Sequence, residues 1–370
     1  MQKECRVMAD VPRNLKASAE IALSSPQDIM QRLCAHFADH GDVAIDGARS
    51  RIDTAFGSAS MEACQRCLKV FAEGHDETSL AYVKLSIAEH LLHFASAENP
   101  TIVWRGDGAA GQPLPYFREM RVVRTASVTP HMRRLTLAGS DLGRFATGGL
   151  HVRLLLPRDG AVPAWPVTGE DGRPSWPEAE RRPDVRIYTI RRIDVDKGEV
   201  DIDFVLHDGD GMPGARFAAN ARIGDIVGMT GPGGGGIPAA DWCMLAGDET
   251  ALPAIGRIVE ALPAGVHAVI RIEIADGGEE QKLVSQATLD IRWLHRNGVA
   301  SGKSTLLQDA IREVRWPEDG RSVFAWAGCE HKNFRAIRSH LRQDRKLARD
   351  AHLVVAYWRR GYEGDSARTD

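Results

Sequence analysis

Six consecutive residues, Arg186-Ile187-Tyr188-Thr189-Ile190-Arg191, bring two cations, a phenol and a hydroxyl into one run whose apolar spacing reads as a strand. Side chains on a strand alternate faces, so Arg186 and Tyr188 point one way and Thr189 and Arg191 the other. A guanidinium forks onto phosphate oxygens, and an aromatic ring can lie on a flat heterocycle. A hydroxyl can approach a ring nitrogen. The combination suits a phosphorylated, planar, redox-active ligand such as a flavin, while Arg-x-Tyr also occurs on ordinary half-exposed strands.

A second feature is Gly247-Asp248-Glu249-Thr250, which follows the apolar run Trp242–Ala246 and precedes a helical pattern. A strand-to-helix turn directs unpaired N–H groups and the positive helix end at whatever lies above it, which favours phosphate. Ser301-Gly302-Lys303-Ser304-Thr305 imitates the end of a nucleoside-triphosphate loop. The full motif requires a glycine five positions before Gly302, where Asn297 stands, and no apolar strand ending in aspartate follows to hold magnesium. Cys64-x-x-Cys67 lies in a stretch that reads as extended, which would send the two thiols to opposite faces and prevent joint chelation. His90 and His93 have ligand-compatible helical spacing but no evident third ligand, so no metal site is expected.

The elements that must position these residues fall into three blocks. Residues 24–97 read as a small α+β unit after a tail, residues 1–23. Its helix starts at Pro26 and runs to His40, strands span Ala48–Phe56 and Met61–Phe71, and Leu80, Val83, Ile87 and Leu91 form a second helical stripe. Residues 98–119, rich in Gly and Pro, read as a linker. From 120 to 237, short alternating runs recur at Arg121–Ser127, Arg133–Gly139, His151–Leu156, Val185–Arg191, Glu199–His207 and Asp225–Thr230, the grammar of an antiparallel β-barrel. Trp165–Pro183, rich in Pro and charge, reads as a surface excursion. From 238 to 365 strands alternate with helices, which predicts an α/β domain with a parallel sheet.

Composition narrows the functional classes. The chain has 370 residues, 43% hydrophobic and 26% charged, with a net charge of −3. Its length calls for more than one domain. The charge offers no general attraction to nucleic acid, so no nucleic-acid partner is expected. Apolar runs stay short of the roughly 18 residues that a membrane span needs. The first residues lack a signal-peptide core, which predicts a cytoplasmic protein with no membrane insertion. Six irregularly spaced cysteines do not describe a disulfide framework.

From Met120 to about Gly364 the chain resembles the siderophore-interacting proteins, flavin-dependent ferric-chelate reductases of the ferredoxin-reductase superfamily. The resemblance runs in order through Arg121–Arg124, Thr129–Leu137, His151–Pro157, Arg186–Arg191, His207, Met212–Ala218, Gly231–Gly234, Gly247–Ala254 and Tyr357–Gly361. Residues 24–97 resemble a small domain of unknown function that accompanies some of these proteins. The resemblance implies FAD as cofactor, NADPH or NADH as electron donor, and a ferric siderophore or other ferric chelate as substrate. Position by position, it implies that Arg186 grips the FAD diphosphate, Tyr188 packs on the isoalloxazine, Thr189 approaches its reactive edge, and Arg191 and His207 complete the site. The turn through Gly211, Pro213, Gly214, Ala215 and Arg216 would cradle the diphosphate with backbone N–H groups. Where the family usually reads Gly-Pro-Ala-Ser-x-Trp, this chain has Met212-Pro213-Gly214-Ala215-Arg216-Phe217, which puts one hydroxyl contact in doubt.

The family's nicotinamide side maps onto Gly247, Asp248, Glu249, Thr250 and Ala251, with Ala327, Gly328 and Glu330 as its counterpart after the next strand and Cys329 as an insertion. Asp276, Glu279 and Glu280 would repel a 2′-phosphate, whereas Lys282, Lys332 and Arg335 would attract one. The cations of the chelate pocket map onto Arg153 and onto Arg359 or Arg360, with no protein acid–base residue required. Three alternatives accompany this reading. They are a flavin reductase with another acceptor, a non-catalytic chelate binder, and an ATP-binding protein built on Ser301–Thr305.

Overall fold

The computed structural model describes residues 14–158, 161–206 and 212–362, and it divides into two units. Met1–Phe117 with Ala164–Arg182 form the first, and Arg118–Pro163 with Pro183–Asp370 the second.

The first unit opens on β1 (Leu15–Ala22), followed by α1 (Pro26–Phe37), β2 (Asp42–Asp46), β3 (Arg49–Thr54), β4 (Gly57–Ala63), β5 (Cys67–Gly74), α2 (Glu77–Phe94) and the short β6 (Arg105–Gly106). The strands form one sheet in the order β2-β3-β4-β5-β1-β6. Pro26 begins α1, where a missing N–H costs nothing, and Asp76 caps α2 by accepting from the Ser79 N–H at 2.7 Å. Ile29, Met30, Leu33 and Phe37 of α1 meet the expected stripe of α2 in a core with Ile21, Leu68 and Val70. Three expectations change. Leu15–Ala22 is a strand along β5, not a tail. Residues 105–106 pair with Ala17 and Ser18 of β1, although they lie in the presumed linker. The single strand expected over Met61–Phe71 is a hairpin that turns at Cys64–Cys67, because Cys64 N–H donates to Cys67 O at 2.8 Å.

The second unit contains β7 (Phe117–Thr129), whose first residue lies in the first unit, then β8 (Met132–Ala138), α3 (Gly143–Thr147) and β9 (His151–Leu156). The next pair, β10 (Val167–Thr168) and β11 (Pro174–Ser175), belongs to the first unit, where the Trp104 N–H donates to Glu170 O and the Thr168 N–H to Gln112 O. The charged excursion therefore has a fixed seat, supplied by backbone bonds that composition does not reveal. The second unit resumes with β12 (Asp184–Asp194), β13 (Glu199–Val205), α4 (Pro213–Asn220) and β14 (Ile226–Gly233). Its six long strands close a barrel in the order β12-β13-β8-β7-β14-β9, the architecture their alternation predicts. Leu135, Leu137, Val152, Leu154, Ile202 and Phe204 fill it.

The chain continues through β15 (Trp242–Asp248), α5 (Leu252–Ala261), β16 (His267–Ile274), β17 (Thr288–His295), α6 (Leu306–Arg312), β18 (Val323–Glu330), α7 (His331–Ser339) and β19 (His352–Trp358). These strands form a parallel sheet, β17-β16-β15-β18-β19. Alternate residues of β15 feed opposite layers: Cys243 and Leu245 pack with α5, and Met244 and Ala246 with α6 and α7. α7 ends at Ser339 and passes into a wider turn over His340–Asp344.

Candidate functional site

β12 carries Arg186, Tyr188 and Thr189 along the wall of a cleft with about 1010 Å³ of empty space, open to solvent. Tyr188 packs against Phe204 with ring centroids 4.2 Å apart, and burial raises its phenol well above the ordinary value despite the opposing pull of Arg186. Its hydroxyl has no hydrogen-bond partner among the described residues. The Arg186 guanidinium donates to Val185 O at 2.8 Å, its one side-chain hydrogen bond among the described residues, so the rest of the fork is free for an anion. Thr189 is buried in the same wall.

The start of α4 forms another wall. Met212, Gly214 and Ala215 line the cleft, and no side chain among the described residues caps the helix, so its first-turn N–H groups have no side-chain partner there. Gly214 is there for space: a Cβ would stand 1.8 Å from the Tyr188 hydroxyl. Pro213 fills the first helical position, and the Arg216 N–H donates to Met212 O at 2.9 Å. A free guanidinium, an aromatic ring and an uncapped helix start crowded to glycine size fit a dinucleotide with a flat ring. His207 and Gly211 lie outside the described residues.

Arg191 stands apart. Its guanidinium forks onto Glu260 of α5 at 2.8 and 2.6 Å, away from the cleft. That bidentate pair ties the barrel strand to α5 rather than leaving Arg191 for a ligand. Arg153 is exposed on β9, two residues from His151 and on the same face. His151 lines the cleft, and its Nε2 lies 2.5 Å from the hydroxyl of Tyr357. These two residues, 206 positions apart, are the site members that pattern reading missed. Their resemblance blocks were visible, but only the closure of barrel onto sheet brings them together. Arg359 follows β19 and stacks its guanidinium over Tyr362 at 4.0 Å, while the Arg360 N–H donates to Glu330 at 3.3 Å.

The α/β side has a different character. Thr250 and Pro253 reach the cleft, and α5 starts uncapped at Ala251. Gly247 is fully enclosed: a Cβ there would meet Ala251 at 2.4 Å and Gly328 O at 2.6 Å. Asp248 is buried and accepts four bonds, from the Thr250 N–H at 3.0 Å and hydroxyl at 2.5 Å, the Glu330 N–H at 3.0 Å and the Trp358 indole at 2.9 Å. Burial, with Glu249 beside it, still lifts the Asp248 carboxyl to about 6. Glu249 and Glu273 enclose Arg296, and all three are buried. Burial also raises Glu273, against the pull of Arg296. Glu330 caps α7 by accepting from the Lys332 N–H at 2.5 Å. Ala327 lies in the core, and Gly328 leaves room for the Trp326 and Tyr357 rings. Cys329 is fully buried, which pushes its thiol far up and removes it from redox chemistry.

Two further expectations resolve here. Glu279 is buried and accepts from the Thr129 hydroxyl at 2.5 Å and the His131 N–H at 2.9 Å. It pins the β7–β8 turn and is not placed to repel a nucleotide phosphate. Glu280 pairs with His295, and the Asp276 carboxylate accepts from the Gly278 N–H, while Lys282, Lys332 and Arg335 are exposed. The Ser301–Thr305 segment is no phosphate cradle. A Cβ on Gly302 would touch Glu330 and Trp358 at 3.0 Å, and the buried Glu273 carboxylate accepts the Leu307 N–H at the start of α6, where a triphosphate would need to sit. Among the described residues, no group of three metal-ligating side chains could hold an ion, and no helix is long and apolar enough to cross a membrane.

Residues 121–236 match the siderophore-interacting FAD-binding domain and residues 240–361 the siderophore-interacting protein domain. Residues 18–105 match a family described as uncharacterized protein conserved in bacteria. The ferric vibriobactin reductase ViuB of Vibrio cholerae is 32% identical over 250 residues, 66% of this chain and 90% of that protein. A siderophore utilization protein from T. fusca is 36% identical with a TM-score of 0.56, covering 67% of this chain and 94% of that one. The siderophore-interacting protein SipS from Aeromonas hydrophila is 30% identical with a TM-score of 0.56, covering 67% and 93%. With two domain models in order across the second unit and relatives matched over nine-tenths of their length, the chain belongs to the siderophore-interacting protein family.

Proposed function

We propose that this chain is an oxidoreductase that draws electrons from NAD(P)H through FAD and reduces ferric siderophores. The observation that carries the reading is the cleft in which free Arg186, Tyr188 and the uncapped start of α4 converge. The flavin domain then corresponds to residues 120–237 and the nucleotide domain to 238–365.

When bound, FAD supplies the exchange between two-electron hydride chemistry and one-electron reduction of Fe(III), so one hydride serves two chelates. Arg186 and the first-turn N–H groups of α4 hold the diphosphate, and Tyr188 and Thr189 fix the ring against β12. Pro213, Gly214 and Ala215 keep α4 close, with Arg216 beside them. Thr250 and the turn after β15 face the nicotinamide nucleotide, and the buried network below them sets that turn rigidly. An anionic ferric chelate is drawn by Arg153, Arg359 and Arg360, near the His151–Tyr357 pair. Once reduced, iron is released because Fe(II) binds hard oxygen ligands weakly. Reduction of this kind places the protein in the cytoplasm, where NAD(P)H is available.

The test is a visible absorbance spectrum of the purified protein after loading with FAD and desalting, followed by anaerobic titration with NADPH, NADH and a ferric siderophore. Retained flavin bands, bleached by a nicotinamide and restored by the chelate, are expected. Bands restored by another acceptor but not by the chelate would make this a reductase of different specificity. Chelate binding without flavin would make it a carrier.

A further inference from the structure

The turn joining β4 to β5 holds a sequence motif that the reductase reading leaves unused. Ala63 and Leu68 are directly paired, so Cys64 and Cys67 form the next rung, with Gln65 and Arg66 as the loop between them. The Cys64 N–H donates to Cys67 O at 2.8 Å across the turn. Directly opposed antiparallel residues separate their Cα atoms by about 4.5–5.5 Å, inside the roughly 4.4–6.8 Å window a disulfide requires. Directly opposed residues of neighbouring strands project to the same face of the sheet, so the two thiols are neighbours across the hairpin. Both are partly exposed, whereas Cys34, Cys243 and Cys329 are buried. An oxidant in solution therefore meets these two sulfurs first among the described cysteines.

We propose that Cys64 and Cys67 form a reversible dithiol–disulfide site in the first unit, addressed by small-molecule disulfides of the glutathione class. The thiolate of one cysteine attacks one sulfur of the oxidised disulfide and expels a thiolate, giving a mixed disulfide. The other cysteine, deprotonated, then attacks the protein sulfur of that mixed disulfide and expels the second thiolate. Two thiol protons and two electrons leave the protein, and two molecules of reduced glutathione form.

The chain supplies its own readout, because trypsin cleaves at Arg51, Arg66 and Lys69 and so separates Ile52–Arg66 from Cys67–Lys69. The full-length reduced protein would be treated with oxidised glutathione, alkylated, digested and weighed. The expected product is the two peptides joined by a disulfide that dithiothreitol releases. Two separate peptides, each alkylated or each carrying glutathione, would overturn the proposal. Cys64→Ser and Cys67→Ser should each stop at a glutathione adduct on the remaining cysteine, and the absence of an adduct on both would overturn the proposal.

Discussion

The two sides of the cleft use similar residue types to opposite ends. On the barrel side, Arg186 makes one side-chain bond to a carbonyl among the described residues, and the start of α4 has no cap. On the sheet side, Asp248 accepts four bonds, Arg296 lies between two glutamates and Glu330 caps a helix. Charge in a motif becomes a binding group only when the fold withholds its partners. Where the fold supplies them, the same charge fixes a turn.

The sharpest way to test this difference is to remove Arg296. Arg296→Met leaves Glu249 and Glu273 buried without their counter-charge, which should cost about 3–5 kcal/mol of unfolding free energy in a denaturant titration. Stability near wild type would mean that the sheet-side network is not structural. Asp248→Asn comes next. A folded carboxyl near 6, raised from 3.8, binds more protons than the unfolded chain between those values. Its contribution is therefore complete below pH 4 and lost as pH rises through 6, amounting to roughly 2–3 kcal/mol by linkage. The difference in stability between wild type and Asp248→Asn should change across that window and flatten above it. A pH-independent difference would contradict the burial of this group.

On the barrel side, Arg186→Ala should leave the unfolding curve nearly unchanged and weaken FAD binding by about 10- to 100-fold in a fluorescence titration, the size of one lost charge-assisted bond. Wild-type FAD affinity would remove Arg186 from the site. Glu260→Gln should have the smallest effect. It breaks a partly exposed fork with Arg191, costs about 0–1 kcal/mol and leaves FAD affinity alone. A large loss of FAD binding would return Arg191 to the cofactor.

The sequence made the barrel and the parallel sheet legible because their strands carry period-two alternation and their helices follow glycine turns. It also exposed the β12 motif, since all its members sit within six residues. Three things stayed hidden, each for a physical reason. The seat of β10–β11 depends on backbone bonds, which no side chain announces. Arg191 and Arg186 look alike in one dimension, and only the approach of α5 separates their roles. The Cys64–Cys67 turn lacks glycine, proline or asparagine, so nothing local marks the hairpin that brings its thiols together.

The close approach of α4 to β12 also governs how this protein can change. Positions 214 and 188 act as a single locus, although 26 residues separate them, because one atom added at the first needs the space of one atom at the second. An alanine at 214 would need the Tyr188 ring, packed against Phe204, to shift. A loss of the phenol oxygen opens the way for the methyl, whereas the methyl first must move the ring. Two sequences that differ at both positions can therefore be equally fit while one of the single-step intermediates between them is not.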